Sequence, residues 1–135
     1  MKSIINLLST TSAVTDLLAD ADSIFVNVSA QEQTIPFIVV DSEIEDTNAS
    51  FTGENLDAMQ VRVFCISDRT YTANGIAGAQ DIADQVRSTL VGASGAYGTE
   101  NYDVTMLENE ETYVYKDPNI TRFQVEQVYQ VMRQR

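Results

Sequence analysis

The sequence predicts an α+β domain, with a mostly antiparallel sheet of about five to six strands and two main helices packed on one face. Three observations carry this expectation. Residues 58–67 and 121–132 alternate along the chain with the period of two of a strand. Residues 4–18 and 75–91 instead repeat apolar side chains near every 3.6 positions. The element order runs helix, three strands, helix, then two or three strands. The chain has 135 residues, one domain on the usual prior of roughly 150, with no Pro- or Gly-rich linker and no internal repeat. At 44% hydrophobic it is too apolar for a disordered acidic tail and large enough for one core.

Each element has its own signal. Ile4, Leu7, Leu8, Val14, Leu17 and Leu18 set the first helical stripe, which Thr10-Thr11-Ser12 interrupts. The segment is one helix, or two with Ser12 capping the second. Ile24, Val26 and Val28 mark a short strand at 24–28. Ile35 to Val40 is strand-like and runs on through Ile44, with Pro36 at its start or on an edge because proline has no N–H to donate. Residues 45–57 read as a long polar loop. In strand 58–67, Met59, Val61, Val63 and Cys65 face one way and Gln60, Arg62, Phe64 and Ile66 the other. Asp68 to Asn74 turn the chain. Ile76, Ala79, Ile82, Ala83, Val86 and Leu90 make the buried face of helix 75–91, and Gly92 stops it. Residues 92–101 read as a second long loop. Strands follow at 102–107 and 111–116, separated by the charged turn Glu108-Asn109-Glu110-Glu111. Asp117-Pro118-Asn119 turns into the last strand.

The inventory excludes much chemistry. Histidine is absent, and with it the commonest general base and transition-metal ligand. The single cysteine, Cys65, allows neither an internal disulfide nor a Cys-rich zinc site, and a buried structural thiol is its expected role. Asp41, Glu43 and Glu45 would share one strand face at about 6.6–7 Å. No Gly-centred loop accompanies them, so a solvated face is expected rather than a metal site or a hydrolase pair. No cofactor is implied, and the chain is not expected to be an enzyme. No apolar run reaches the roughly 20 residues of a membrane helix. The N-terminal segment lacks a signal core, so a soluble protein in a reducing compartment is expected.

Charge gives the positive signal. Twenty acids against eight bases leave −12 at neutral pH, which disfavours both general nucleic-acid binding and anionic membranes. Residues 41–57 hold Asp41, Glu43, Glu45, Asp46, Glu54 and Asp57 with no base, and Phe51 lies among them. Residues 122–135 hold Arg122, Arg133 and Arg135 against Glu126 alone. An acidic limb and a basic end suit a heterologous contact between copies. These acids, Phe51 and the three arginines are therefore the candidate interface or channel residues.

The ordered set of local strings resembles the tail completion (tail terminator, tail-to-head joining) proteins of long-tailed bacteriophages. It comprises Ile4-Ile5-Asn6-Leu7-Leu8 to Val14-Thr15-Asp16-Leu17-Leu18, Ile24-Phe25-Val26, Pro36-Phe37-Ile38-Val39-Val40, Val61 to Ser67, Ala79 to Leu90, and Arg122-Phe123-Gln124-Val125-Glu126. The resemblance implies a virion subunit without catalytic residues. That subunit would form a hexameric ring, cap the tail tube, end its polymerisation and dock to the head's connector and stopper proteins. Genomic DNA would pass through the ring without specific binding. Assembly would take place in the host cytoplasm. Another neck, head-closure or minor tail protein is the nearest alternative, and an acidic DNA mimic directed at a basic host protein is a more distant one.

Overall fold

The computed structural model describes residues 2–20, 22–26, 34–47, 56–97, 100–117 and 120–134. The elements are α1 (Lys2–Thr10), α2 (Ser12–Thr15), β1 (Ile24–Val26), β2 (Phe37–Thr47), β3 (Leu56–Ser67), α3 (Ala79–Leu90), β4 (Ser94–Tyr97), β5 (Glu100–Asp117) and β6 (Ile120–Gln134). Strands dominate. They form one six-stranded sheet in the order β1-β2-β3-β6-β5-β4. Only β1 and β2 pair in parallel; every other neighbouring pair is antiparallel.

The period-two alternation sorts the strand residues into two buried sets. Ile38 and Val40, then Met59, Val61, Val63 and Cys65, then Val125, Tyr129 and Val131 join one large cluster. Ile4 and Leu8 of α1, Val14 of α2 and Ile82, Val86 and Leu90 of α3 fill the same cluster. The opposite face carries a smaller cluster of Phe37, Val39 and Ile66, with Phe25, Ile35 and Phe64 partly covered, and Gln124 and Val128 of β6 are buried on that face as well.

Several boundaries differ from expectation for identifiable reasons. The first helical stripe is two helices, and Thr11 rather than Ser12 is the N-cap of the second. The Thr11 hydroxyl donates instead to the Leu7 carbonyl at 2.7 Å, which closes the last turn of α1. β1 ends at Val26. The ladder of β2 and β3 reaches Thr47↔Asp57, so both strands enter the stretch expected as a loop at 45–57. The expected loop at 92–101 contains β4, which pairs with Glu100–Asp103. The supposed turn at 108–111 is strand: β5 is continuous, and two bulges absorb the irregular register around it, at Val104/Met106 and Leu107/Asn109.

Helix α3 starts later than its apolar stripe suggested. Asn74 (φ 53°) and Gly75 (φ 78°) form the centre of a tight turn, closed by reciprocal backbone bonds between Ala73 and Ile76, each 3.0 Å. Ile76 therefore lies outside the helix and is 36% exposed. The first N–H groups of α3 are satisfied by backbone: Ala79 donates to the Arg69 carbonyl at 2.9 Å and Gln80 to the Thr70 carbonyl at 3.0 Å. That approach demands Gly78, where an added Cβ would fall 2.4 Å from Thr70 and Tyr71 backbone atoms. At the other end, Val91 and Gly92 (φ 77°) make a type II turn with the Ala93 N–H bonded to the Leu90 carbonyl.

Candidate assembly surface

The sheet leaves two long edges open. β1 covers only Ile38–Val40 of β2, and β4 covers only Glu100–Asp103 of β5. Among the described residues no strand pairs with the outer side of β2 from Asp41 to Thr47, nor with that of β5 beyond Val104. Both edges are acidic. β2 carries Asp41, Glu43, Glu45 and Asp46 there, and β5 carries Glu108, Glu110, Glu111 and Asp117 against Lys116 alone. Acidic edges blunt the tendency of unpaired strands to recruit one another.

The candidate residues are distributed as follows. Asp41 is half-buried in register with Arg62, Glu43 opposes Gln60, and Asp46 opposes Ala58. Glu45 stands at the bulge between Ile44 and Asp46 and has no register partner. Asp57 lies between Thr47 on β2 and Arg133 on β6. Asp57 of the acidic limb and Arg133 of the basic end thus meet at one end of the same sheet, because β3 lies between β2 and β6. Arg122 is at the far end of β6, with its guanidinium 5.7 Å from the centre of the Phe37 ring, a cation–π contact within the subunit. Phe51, Glu54 and Arg135 lie outside the described residues.

A buried polar chain joins α3 to the sheet, and sequence reasoning did not find it. Gln127 is fully buried on the apolar side of β6. Its amide nitrogen donates to the Ala83 carbonyl and to Glu110, both at 2.8 Å. Its oxygen accepts from the Tyr129 hydroxyl at 2.7 Å. Glu110 also receives both contacts from the Arg87 Nη1 atom, at 3.1 and 3.2 Å, and Arg87 pairs with Asp84 at 2.7 Å. One signal was available: a glutamine at the helix-facing position of an otherwise apolar strand must find partners. Beside this chain, burial pushes the Cys65 thiol far above its usual range, reinforced by Glu110 and Asp84, so the thiol is neutral and unreactive.

On the opposite side of β5 and β6, Glu111 and Glu126 are register partners. The Tyr113 hydroxyl donates to Glu111. That hydrogen bond lowers the Glu111 carboxyl, and with desolvation and the nearby charges of Glu111 and Glu126 it raises the Tyr113 phenol to about 12. Among the described residues no group of three or more potential ligands is placed to hold a metal ion. No described helix is long and apolar enough to cross a membrane.

The fold is thus a mostly antiparallel six-stranded sheet with helices in its main core and, among the described residues, uncovered edges on β2 and β5. The family described as "Tail completion protein gp17" matches residues 2–132, and the chain belongs to that family. It is a structural component of a virion tail. Among solved structures, a chain of the "Virion of native gene transfer agent (GTA) particle" shares the fold, at 14% identity and a TM-score of 0.65. The match covers 98% of this chain and 92% of that one. No curated protein matches significantly.

Proposed function

We propose that the subunit closes into a ring, a hexamer by its family resemblance, that caps the finished tail tube, stops its growth and joins it to the head connector. The observation that carries this reading is the pair of open edges on β2 and β5. Because both edges, uncovered among the described residues, are acidic, a neighbour would cover one with its basic end rather than pair edge to edge, and such a heterologous contact closes when the rotation between copies divides a full turn. The proposed interface draws on Asp41, Glu43, Glu45, Asp46, Phe51, Glu54 and Asp57, with Arg122, Arg133 and Arg135 as their basic counterparts. Acidic walls also suit passage of DNA, since they repel phosphate where basic walls would hold it. The tube protein and the head-completion (stopper) protein are the proposed partners above and below the ring.

Six copies of the 14.9 kDa chain give a ring of about 90 kDa. Native mass measurement and negative-stain imaging of the purified protein are expected to show it. Added to polymerising tube protein, the ring is expected to shorten the tubes and to appear at one end. A monomer at every concentration, with tube length unaffected, refutes the reading.

A further inference from the structure

A groove of about 390 Å³ opens where three segments meet: the residues closing α2, the lead-in to β2 and the turn before α3. Its volume is in the range of specific binding pockets, about 300–1,000 Å³. Leu17, Ile35, Pro36 and Ile76 give it apolar walls, and Asp16 and Thr72 lie on its rim. Ile76 is 36% exposed, and the adjoining Tyr71 is 64% exposed.

The walls are fixed. The turn that carries Ile76 is closed by its two reciprocal backbone bonds. The Ala77 carbonyl accepts the buried Ser67 hydroxyl at 2.6 Å, and the Asp81 carboxylate accepts the Thr72 N–H. Across the groove, the Ala19 N–H donates to the Pro36 carbonyl at 2.9 Å. An occupant would meet a site already ordered, which lowers the cost of docking.

The charge is one-sided. Among the described residues no cation lines the groove, and exposed Asp16 is followed by exposed Asp20 and Asp22. The nearby Arg69 is engaged by Asp68 at 2.8 Å and by the Ala73 carbonyl at 2.9 Å. A trough of mixed polar and apolar lining, with Leu17, Ile35, Pro36 and Ile76 beside Asp16, matches an apolar side chain flanked by cations. A second copy is a poor match, because nowhere in the chain does a large apolar side chain stand between two nearby Lys or Arg residues. Nucleic acid is repelled by the same rim.

We propose that this groove docks a short extended segment of a different polypeptide, one that carries a large apolar side chain between Lys or Arg residues. The proposal stands on the groove alone and does not depend on ring formation.

The test uses the full chain and two short acetylated peptides, one alternating Leu with Arg and one alternating Leu with Glu. Binding is read by fluorescence anisotropy, and the site by amide shift mapping. The Leu–Arg peptide is expected to bind, to shift the amides of Leu17, Thr72, Gly75 and Ile76, and to outcompete the Leu–Glu peptide. Ile76→Asp is expected to weaken it about ten-fold or more, and Asp16→Lys about three-fold or more. Both positions are solvent-exposed, so melting temperatures should stay near the parent's. Glu111→Gln, far from the groove, is expected to leave the affinity unchanged. Equal binding of the two peptides, unchanged affinity in both groove variants, or shifts centred on residues 41–47 overturns the proposal. A change in self-association caused by Ile76→Asp also overturns it, by assigning the groove to a second copy. Loss of the ring with peptide binding retained would remove the capping function and leave the groove's role intact.

Discussion

Gln127 shows how one polar side chain can be accommodated in an apolar layer. Both its amide atoms are engaged, and its partners belong to the helix, to β5 and to its own strand. Gln127→Leu would orphan the buried Tyr129 hydroxyl, at roughly 1–3 kcal/mol for an unsatisfied group, while the Ala83 carbonyl, inside α3, keeps its helical bond. Denaturant unfolding is expected to show that loss, and adding Tyr129→Phe should recover part of it. Gly78→Ala is expected to cost roughly 1–3 kcal/mol or more through overpacking against Thr70 and Tyr71, read as a lower melting temperature. Tyr113 gives a titration test. Its phenol is held up to about 12 by the bond to Glu111, against an ordinary value near 10. Because the folded value is the higher one, the contact favours the folded state below pH 10 and that preference is lost as pH rises toward 12. Carbon NMR of the tyrosine ring should place Tyr113 last among the exposed tyrosines to ionise, and Glu111→Gln should return it toward 10.

Helix α3 is fastened at its start by the 69–70 backbone and along its length by Arg87. The Arg87–Glu110 pair is partly exposed, with 39% and 26% of the side chains accessible, so it contributes at most about 0.2–1 kcal/mol. The fully buried Gln127 matters more for seating the helix. At the helix entry, the Arg69 guanidinium holds Asp68 below its usual value by a 2.8 Å hydrogen bond. A lowered folded value stabilises above the ordinary carboxylate range of about 4, and the effect is lost as pH falls through the lower folded value. The melting-temperature gap between the parent and Asp68→Asn should therefore close on acidification. The periodic parts of these elements were legible in the sequence. Alternation from Met59 to Cys65 gave the buried set of β3, and Ile82, Ala83, Val86 and Leu90 gave the face of α3. The turn expected at Asp68 to Asn74 runs on through Gly75, and the helix expected from residue 75 starts later, because Ile76 happens to continue the apolar stripe. The acidic run at 108–111 was read as a turn on composition, although pairing with β6 and two bulges keep it in the sheet. Composition reports solvent exposure, and an exposed strand edge is as polar as a turn.

At the scale of the whole molecule, the charge asymmetry was legible in sequence while its geometry was not. Which strands become neighbours depends on contacts far apart in the chain, and β3 brings Asp57 beside Arg133. The proposed subunit contact would depend on these strips. Replacing both Arg133 and Arg135 by Ala should reduce the ring fraction in native mass measurements at low salt, with the parent's melting temperature as the control for folding. An unchanged ring would remove the arginines from the interface. The long ladder between β5 and β6 has a kinetic consequence. It pairs residues from Asp117↔Ile120 outward to Asn101↔Gln134, so each new pair extends a loop already closed. Joining β3 to β6 instead requires contacts such as Ser67↔Phe123, across the whole of α3, β4 and β5. Loop-closure entropy therefore favours the hairpin as the early structure and the marginal three-residue β1 as the last to join. Pulse-labelled hydrogen exchange during refolding should protect Val125 to Val131 before Ile24 to Val26.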